Sequence, residues 1–173
     1  MINFQTRLCD RRSGQVLVES IVAITLVLVG LLGIITLLLR STVVNREIQN
    51  RLIASYLAAE GIELVRYVID HDLANDVPGG WNATVKPGTY EIDFDAAQTP
   101  IPLVLIPYEN GTVYLSSGVY EQGLVGDVET DFTRRVRVVD TANKFNVVSE
   151  VTWSGRGSFT ITVEDEFYNW RRK

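Results

Sequence analysis

From Ser20 to Leu39 the chain carries no charged residue, and roughly 20 such residues are what a helix needs to cross the hydrocarbon core of a bilayer. At the front edge of this run stands one carboxylate, Glu19, which costs about 2–3 kcal/mol at a membrane centre on insertion scales. An ordinary anchor has no use for it. Ahead of it lie Arg7, Arg11 and Arg12, then Ser13-Gly14, so a basic head ends at a glycine before the apolar segment begins. Three arginines against Asp10 in the first fourteen residues predict a cytoplasmic N-terminus with the remainder exported. A cleavable secretory signal has an apolar core of about 7–15 residues followed by a small-residue cleavage site. Here the core is longer, and Leu37-Leu38-Leu39-Arg40-Ser41 offers no such site.

The motif Gly14-Gln15-Val16-Leu17-Val18-Glu19 behind that basic head closely resembles the class III signal of type IV prepilins and pseudopilins. The resemblance implies that a prepilin peptidase cuts between Gly14 and Gln15, that Gln15 is N-methylated, and that the apolar helix stays on the mature chain. It assigns Glu19, the fifth residue after the cut, to filament assembly. The physical chemistry is compatible with that role. Cutting creates an α-amine one helical turn from Glu19, within reach of its own or a neighbour's carboxylate. A negative side chain in the first turn also complements the helix dipole. In lipid, an unpaired carboxylate has strong reason to find a cation, which makes it a device for setting register. The plainer alternative is that Glu19 sits among headgroups and reaches to water. Two features depart from the family pattern: Gln15 stands where phenylalanine is usual, and no proline precedes Pro78.

Looser resemblances lie further along. Leu57-Ala58-Ala59-Glu60-Gly61-Ile62-Glu63-Leu64-Val65-Arg66 is similar to the helix of PilV-like minor pilins. Phe132-Thr133-Arg134-Arg135-Val136-Arg137-Val138, then Val147 to Trp153 and Asn169-Trp170-Arg171, are similar to their last strands. The implied partners are the prepilin peptidase, other pilin subunits, the inner-membrane assembly platform and the lipid bilayer. The implied location is a single-pass inner-membrane protein with its C-terminal domain outside, later in the pilus.

Composition fits one modest exported domain behind an anchor. Losing three cations and one anion with residues 1–14 takes the formal charge from −5 to −7, which argues against nucleic acid as the main ligand. The single cysteine, Cys9, lies in the leader, so a mature domain would rely on packing rather than a disulfide.

The resulting plan is a leader over 1–14, a transmembrane and assembly helix over 15–39, an exposed amphipathic continuation over 40–72, and a β-rich region over 73–173 forming one domain with 40–72. No proline or glycine interrupts Arg40 to Glu60, which predicts continuous helix, about 85 Å from Gln15 to His71 at 1.5 Å per residue. Ile48, Leu52, Tyr56 and Ala59 follow helical spacing and predict the stripe that a sheet would cover. The helix is expected to pass through Gly61 and end near His71-Asp72, before the loop of Asn75, Asp76, Pro78, Gly79 and Gly80. Tyr90, Ile92 and Phe94 alternate with Glu91, Asp93 and Asp95, the period of a half-buried strand. Leu103 to Ile106 is apolar throughout, and Asn110-Gly111 predicts a hairpin turn into Thr112 to Leu115. Phe132–Val139, Phe145–Trp153 and Phe159–Val163 complete an antiparallel sheet. The fold expected is α+β, a long N-terminal helix packed on that sheet.

Little in the sequence points to chemistry. His71 beside Asp72 reads as a solvated helix end rather than a base or metal ligand. Asp127, Glu129 and Asp131 lack the glycine and distal glutamate of a calcium loop. Asn82-Ala83-Thr84 and Asn110-Gly111-Thr112 match the glycosylation sequon by pattern alone. Phe167, Tyr168 and Trp170 read as closing the core, with Arg171, Arg172 and Lys173 solvated. No catalytic residue, metal or cofactor is expected. The favoured function is a minor pilin-like subunit. A secretion-system pseudopilin or a major pilin are alternatives of the same class, and a membrane-tethered binding module is an alternative of another. An exported enzyme ranks last for want of a catalytic constellation.

Overall fold

The computed structural model describes residues 11–94, 103–122, 128–141, 144–155 and 157–169. One helix, α1 (Arg11–Ala74), precedes seven strands: β1 (Gly88–Phe94), β2 (Leu103–Pro107), β3 (Thr112–Ser116), β4 (Val119–Gln122), β5 (Val128–Thr141), β6 (Lys144–Ser154) and β7 (Ser158–Tyr168). The fold is α+β, as expected. The helix is unbroken at Arg40 and closes just beyond its predicted end. The amides of Asn75 and Val77 donate to the carbonyls of His71 and Asp72, and Asp76 takes a left-handed φ of 46°, a common way to satisfy the last helical carbonyls. The chain forms two compact units, Met1–Arg46 and Glu47–Lys173.

In the second unit all strand pairs are antiparallel. Strand β7 is one edge, followed inward by β6 and β5. The far side of β5 is shared: β3 pairs with its first half and β1 with its second, and β4 and β2 flank these outside. Pro107 is tolerated because β2 pairs only with β1, and an edge strand need not donate outward.

Residues Glu47 to Ala74 of α1 cover the inner face of this sheet. Ala54, Leu57, Ala58, Ile62, Val65, Val68 and Ile69 are buried against Phe132, Val136 and Val138 of β5 and Phe145, Val147, Val151 and Trp153 of β6. Their i, i+3, i+4 spacing puts them on one helix face. Each Val, Leu, Ile or Phe so buried contributes about 1.5–3 kcal/mol relative to exposure. Gly61 lies within this face, where an added Cβ would come 2.5 Å from Ser149 Oγ and 3.0 Å from Val136 Cγ2. The mid-helix glycine therefore permits close helix–sheet approach.

Three expectations are corrected. The predicted packing stripe is the wrong one: Ile48, Leu52 and Tyr56 are 56, 54 and 69% exposed, and Ala59 is exposed too. Both stripes are apolar at helical spacing, but only the buried one carries Ala54, Ala58 and Gly61, whose small size lets a sheet seat closely. Second, β1 is not half-buried. Glu91 and Asp93 are as enclosed as Ile92, because their carboxylates have backbone amides to accept from. Third, Asn110-Gly111 is not a hairpin turn. Strand β2 pairs with β1, while β3 pairs with β4 and β5, so the Asn-Gly pair lies in a crossing connection. The actual hairpin, β3–β4, turns at Ser117 and Gly118, both at positive φ (50° and 87°), the geometry of a two-residue hairpin turn.

Candidate assembly surface

The first unit presents one chemical surface. Every large aliphatic side chain from Val16 to Leu39 is exposed. The apolar window of this helix is 0% buried and has the length and composition to cross a membrane. With about 1.5–3 kcal/mol at stake per side chain, tens of kcal/mol remain to be realised against lipid or other protein. The hydroxyls within the run are already satisfied by the helix. Ser20 Oγ donates to Val16 O and Thr25 Oγ1 to Val22 O, both at 2.8 Å, and Thr36 and Thr42 donate to Leu32 O and Leu38 O. Such internal bonding removes most of the penalty for carrying them into an apolar phase. Glu19 differs: it is exposed on this helix, one turn beyond Gln15. Gly14 is also exposed and, like Gly30 and Gly33, has open space where a side chain would be.

Of the other predicted residues, Arg11 and Arg12 fall on α1, whereas Arg7 and Cys9 lie outside the described residues, as do Asp127, Trp170 and residues 171–173. Glu129 and Asp131 are exposed on β5, and no group of three metal-ligating side chains occurs among the described residues. His71 is less solvated than expected, its side chain 19% exposed and its Nδ1 3.9 Å from a fully buried Asp72. The Asp72 carboxylate accepts from Thr84 N at 2.8 Å and Thr84 Oγ1 at 2.7 Å. It thus pins the loop after the helix and commits the hydroxyl of the first sequon to structure. Phe167 packs against the core as expected, and Tyr168 is exposed.

The residue that sequence reasoning passed over is Arg134, 1% exposed on β5. Its guanidinium donates to Gln122 Oε1 (2.9 Å), Glu60 Oε2 (2.8 Å), Leu57 O (3.3 Å) and Ile92 O, with Asp93 at 3.9 Å. Helix, β1, β4 and β5 therefore meet on one cation. Gln122 extends the network, donating to Gly111 O at 2.9 Å and Arg134 O at 2.6 Å. Beside it, Glu91 Oε1 accepts from the amides of Glu109, Asn110 and Gly111 at 2.7–2.9 Å. Burial alone would raise the Glu91 pKa, but amide donation by Gly111, Glu109 and Asn110 outweighs it and holds the carboxyl below its ordinary value. Gly111, at φ 70°, would place a Cβ 2.6 Å from Arg134 O, so this crossing requires glycine. A signal was available: Phe132, Arg134, Val136 and Val138 share one strand face, and an arginine in that phase has to be buried with partners.

Between α1 and the β3–β4 hairpin lies an open groove of about 680 Å³, lined by Ile53, Tyr56, Leu57, Ala59, Glu60, Glu63, Gly118, Val119 and Tyr120. Tyr56 and Val119, at 69 and 59% exposed, form its apolar lips. Comparison with family models, with characterised proteins and with solved structures returned no match.

Proposed function

We propose that this chain is a minor pilin-like structural subunit, cut by a prepilin peptidase between Gly14 and Gln15 and assembled through its N-terminal helix. One observation carries the proposal: Glu19 stands in the stretch of α1 from Val16 to Leu39, whose large aliphatic side chains are all exposed, behind a basic segment ending at Gly14. A lone carboxylate there needs a cation, and cleavage supplies one as the new α-amine. The chain then enters the inner membrane with Glu47–Lys173 outside, and its role is assembly rather than catalysis. Arg7, Arg11 and Arg12 hold the leader on the cytoplasmic side, and Gln15 is the methylated residue.

The test is the intact mass and N-terminal sequence of the full chain co-expressed with a prepilin peptidase. The expected product begins at Gln15, with any added methyl visible in the same spectrum. Gly14→Ala should block cutting and assembly while leaving membrane insertion normal. An intact leader beside a demonstrably active peptidase would overturn the proposal and leave a membrane-tethered binding module.

A further inference from the structure

The groove beside α1 combines an apolar lining with two carboxylates, Glu60 and Glu63, and no basic residue. Glu60 is held by Arg134 from behind. Glu63 is 68% exposed and pairs with Arg66, 45% exposed and shared with Asp165, a surface pair of little strength. The groove therefore suits an apolar side chain followed by cations. This chain carries such a segment: Trp170-Arg171-Arg172-Lys173, directly after Asn169.

We propose that the groove receives residues 170–173 of a second copy of this chain. Its own segment cannot reach. Tyr168 is level with Thr141 of β5 through Lys144, while Tyr120 at the groove is level with Val128 through Leu115. The interval from 128 to 141 is about 40 Å along the strands at 3.3 Å per residue, and residues 170–173 lie within about 18 Å of Tyr168 even when fully extended. Strand β7 and the β3–β4 hairpin also lie on opposite edges of the sheet. Donor and acceptor patches are thus different surfaces, so the contact is head-to-tail. The two patches are offset along the strands by on the order of 20–40 Å. Such a contact joins copies into an open chain wherever its rotation does not close a ring. This deepens the filament-subunit proposal by naming one subunit contact, and it is tested without leader cleavage.

Full-length chains, both with Cys9→Ser and Gly14→Ala, are purified in mild detergent with different tags and mixed. One carries Val119→Cys and the other Arg172→Cys. Oxidation should give a disulfide heterodimer well above that of a control pair joining Val119→Cys to Thr162→Cys on the outer sheet face. Glu63→Lys should lower the yield about two- to fivefold, the effect of one exposed charge pair, and combining it with Arg171→Glu should restore part of the loss. A heterodimer no stronger than the control, or a yield indifferent to Glu63→Lys, overturns the contact. So does cross-linking of Val119→Cys chains only to one another. Crosslinking with no leader cleavage in the peptidase test would keep this contact and remove the pilin proposal; cleavage without crosslinking would do the reverse.

Discussion

Two stretches of the same helix use apolar residues in opposite ways. Between Val16 and Leu39 they occur on every side and none is covered. Between Leu57 and Ile69 every large aliphatic side chain lies on a face that disappears under the sheet. A helix apolar all round asks for an apolar surrounding, whereas a one-sided helix asks for a single partner. Hydrophobic content alone therefore does not say where a helix goes. What distinguishes the second stretch is the interruption of apolar positions by Glu60, Glu63 and Arg66, together with small residues at the contact.

The largest effect is expected from Arg134→Leu, which removes the buried cation that Glu60, Gln122 Oε1 and Ile92 O share in the second unit and should cost about 3–5 kcal/mol. Urea unfolding of the full chain in detergent, followed by tryptophan fluorescence, measures it. Leu57→Ala should cost about 2–5 kcal/mol in the same assay, as expected for a 4% exposed core side chain. Gly61→Ala should cost about 1–3 kcal/mol by overpacking against Ser149 and Val136. The double change with Ser149→Ala should recover part of it; an unchanged double mutant would show that the helix approach is looser than described.

Smaller effects sharpen the picture. Glu91 has a folded pKa below its unfolded value, so its contribution is present above the unfolded pKa near 4.5 and is lost as pH falls through the folded value. Urea midpoints should therefore drop below about pH 5, and Glu91→Gln should flatten that slope while destabilising the protein at neutral pH. Smallest of all, Tyr56→Ser should alter stability by no more than about 0.5 kcal/mol, since Tyr56 is exposed. A loss as large as that of Leu57→Ala would reinstate the stripe predicted from sequence as the packing face.

Much of the architecture was legible from local pattern. The helix limits followed from the absence of breakers between Arg40 and Glu60 and the glycine-rich loop after Asp76. The three last strands followed from strict alternation, as in Phe145, Val147, Ser149, Val151 and Trp153, all buried on one face. The choice between helix stripes was not legible, because Ile48-Leu52-Tyr56 and Ala54-Leu57-Ala58 are equally periodic. The true hairpin at Ser117-Gly118 lost to the stronger local signal of Asn110-Gly111. That signal was real, but Glu91 captured the loop amides and turned it into a crossing connection. Of the candidate site, Gly14, Gln15 and Glu19 were visible at once, since a carboxylate or a glycine stands out against an apolar run. The groove was invisible, because its two walls are separated by more than fifty residues of chain between Glu63 and Gly118.

Local sequence alone dictates a helix apolar enough to cross a membrane, a carboxylate at its edge, and strands enough for an antiparallel sheet. These are properties of neighbouring residues, and backbone hydrogen bonding turns them directly into periodicity. Which face of the helix meets the sheet, how Arg134 is buried, and the opening of Tyr56 and Val119 on one groove follow from tertiary packing. Those outcomes depend on groups brought together from distant parts of the chain, whose volumes and charges are matched only once the sheet has closed over the helix.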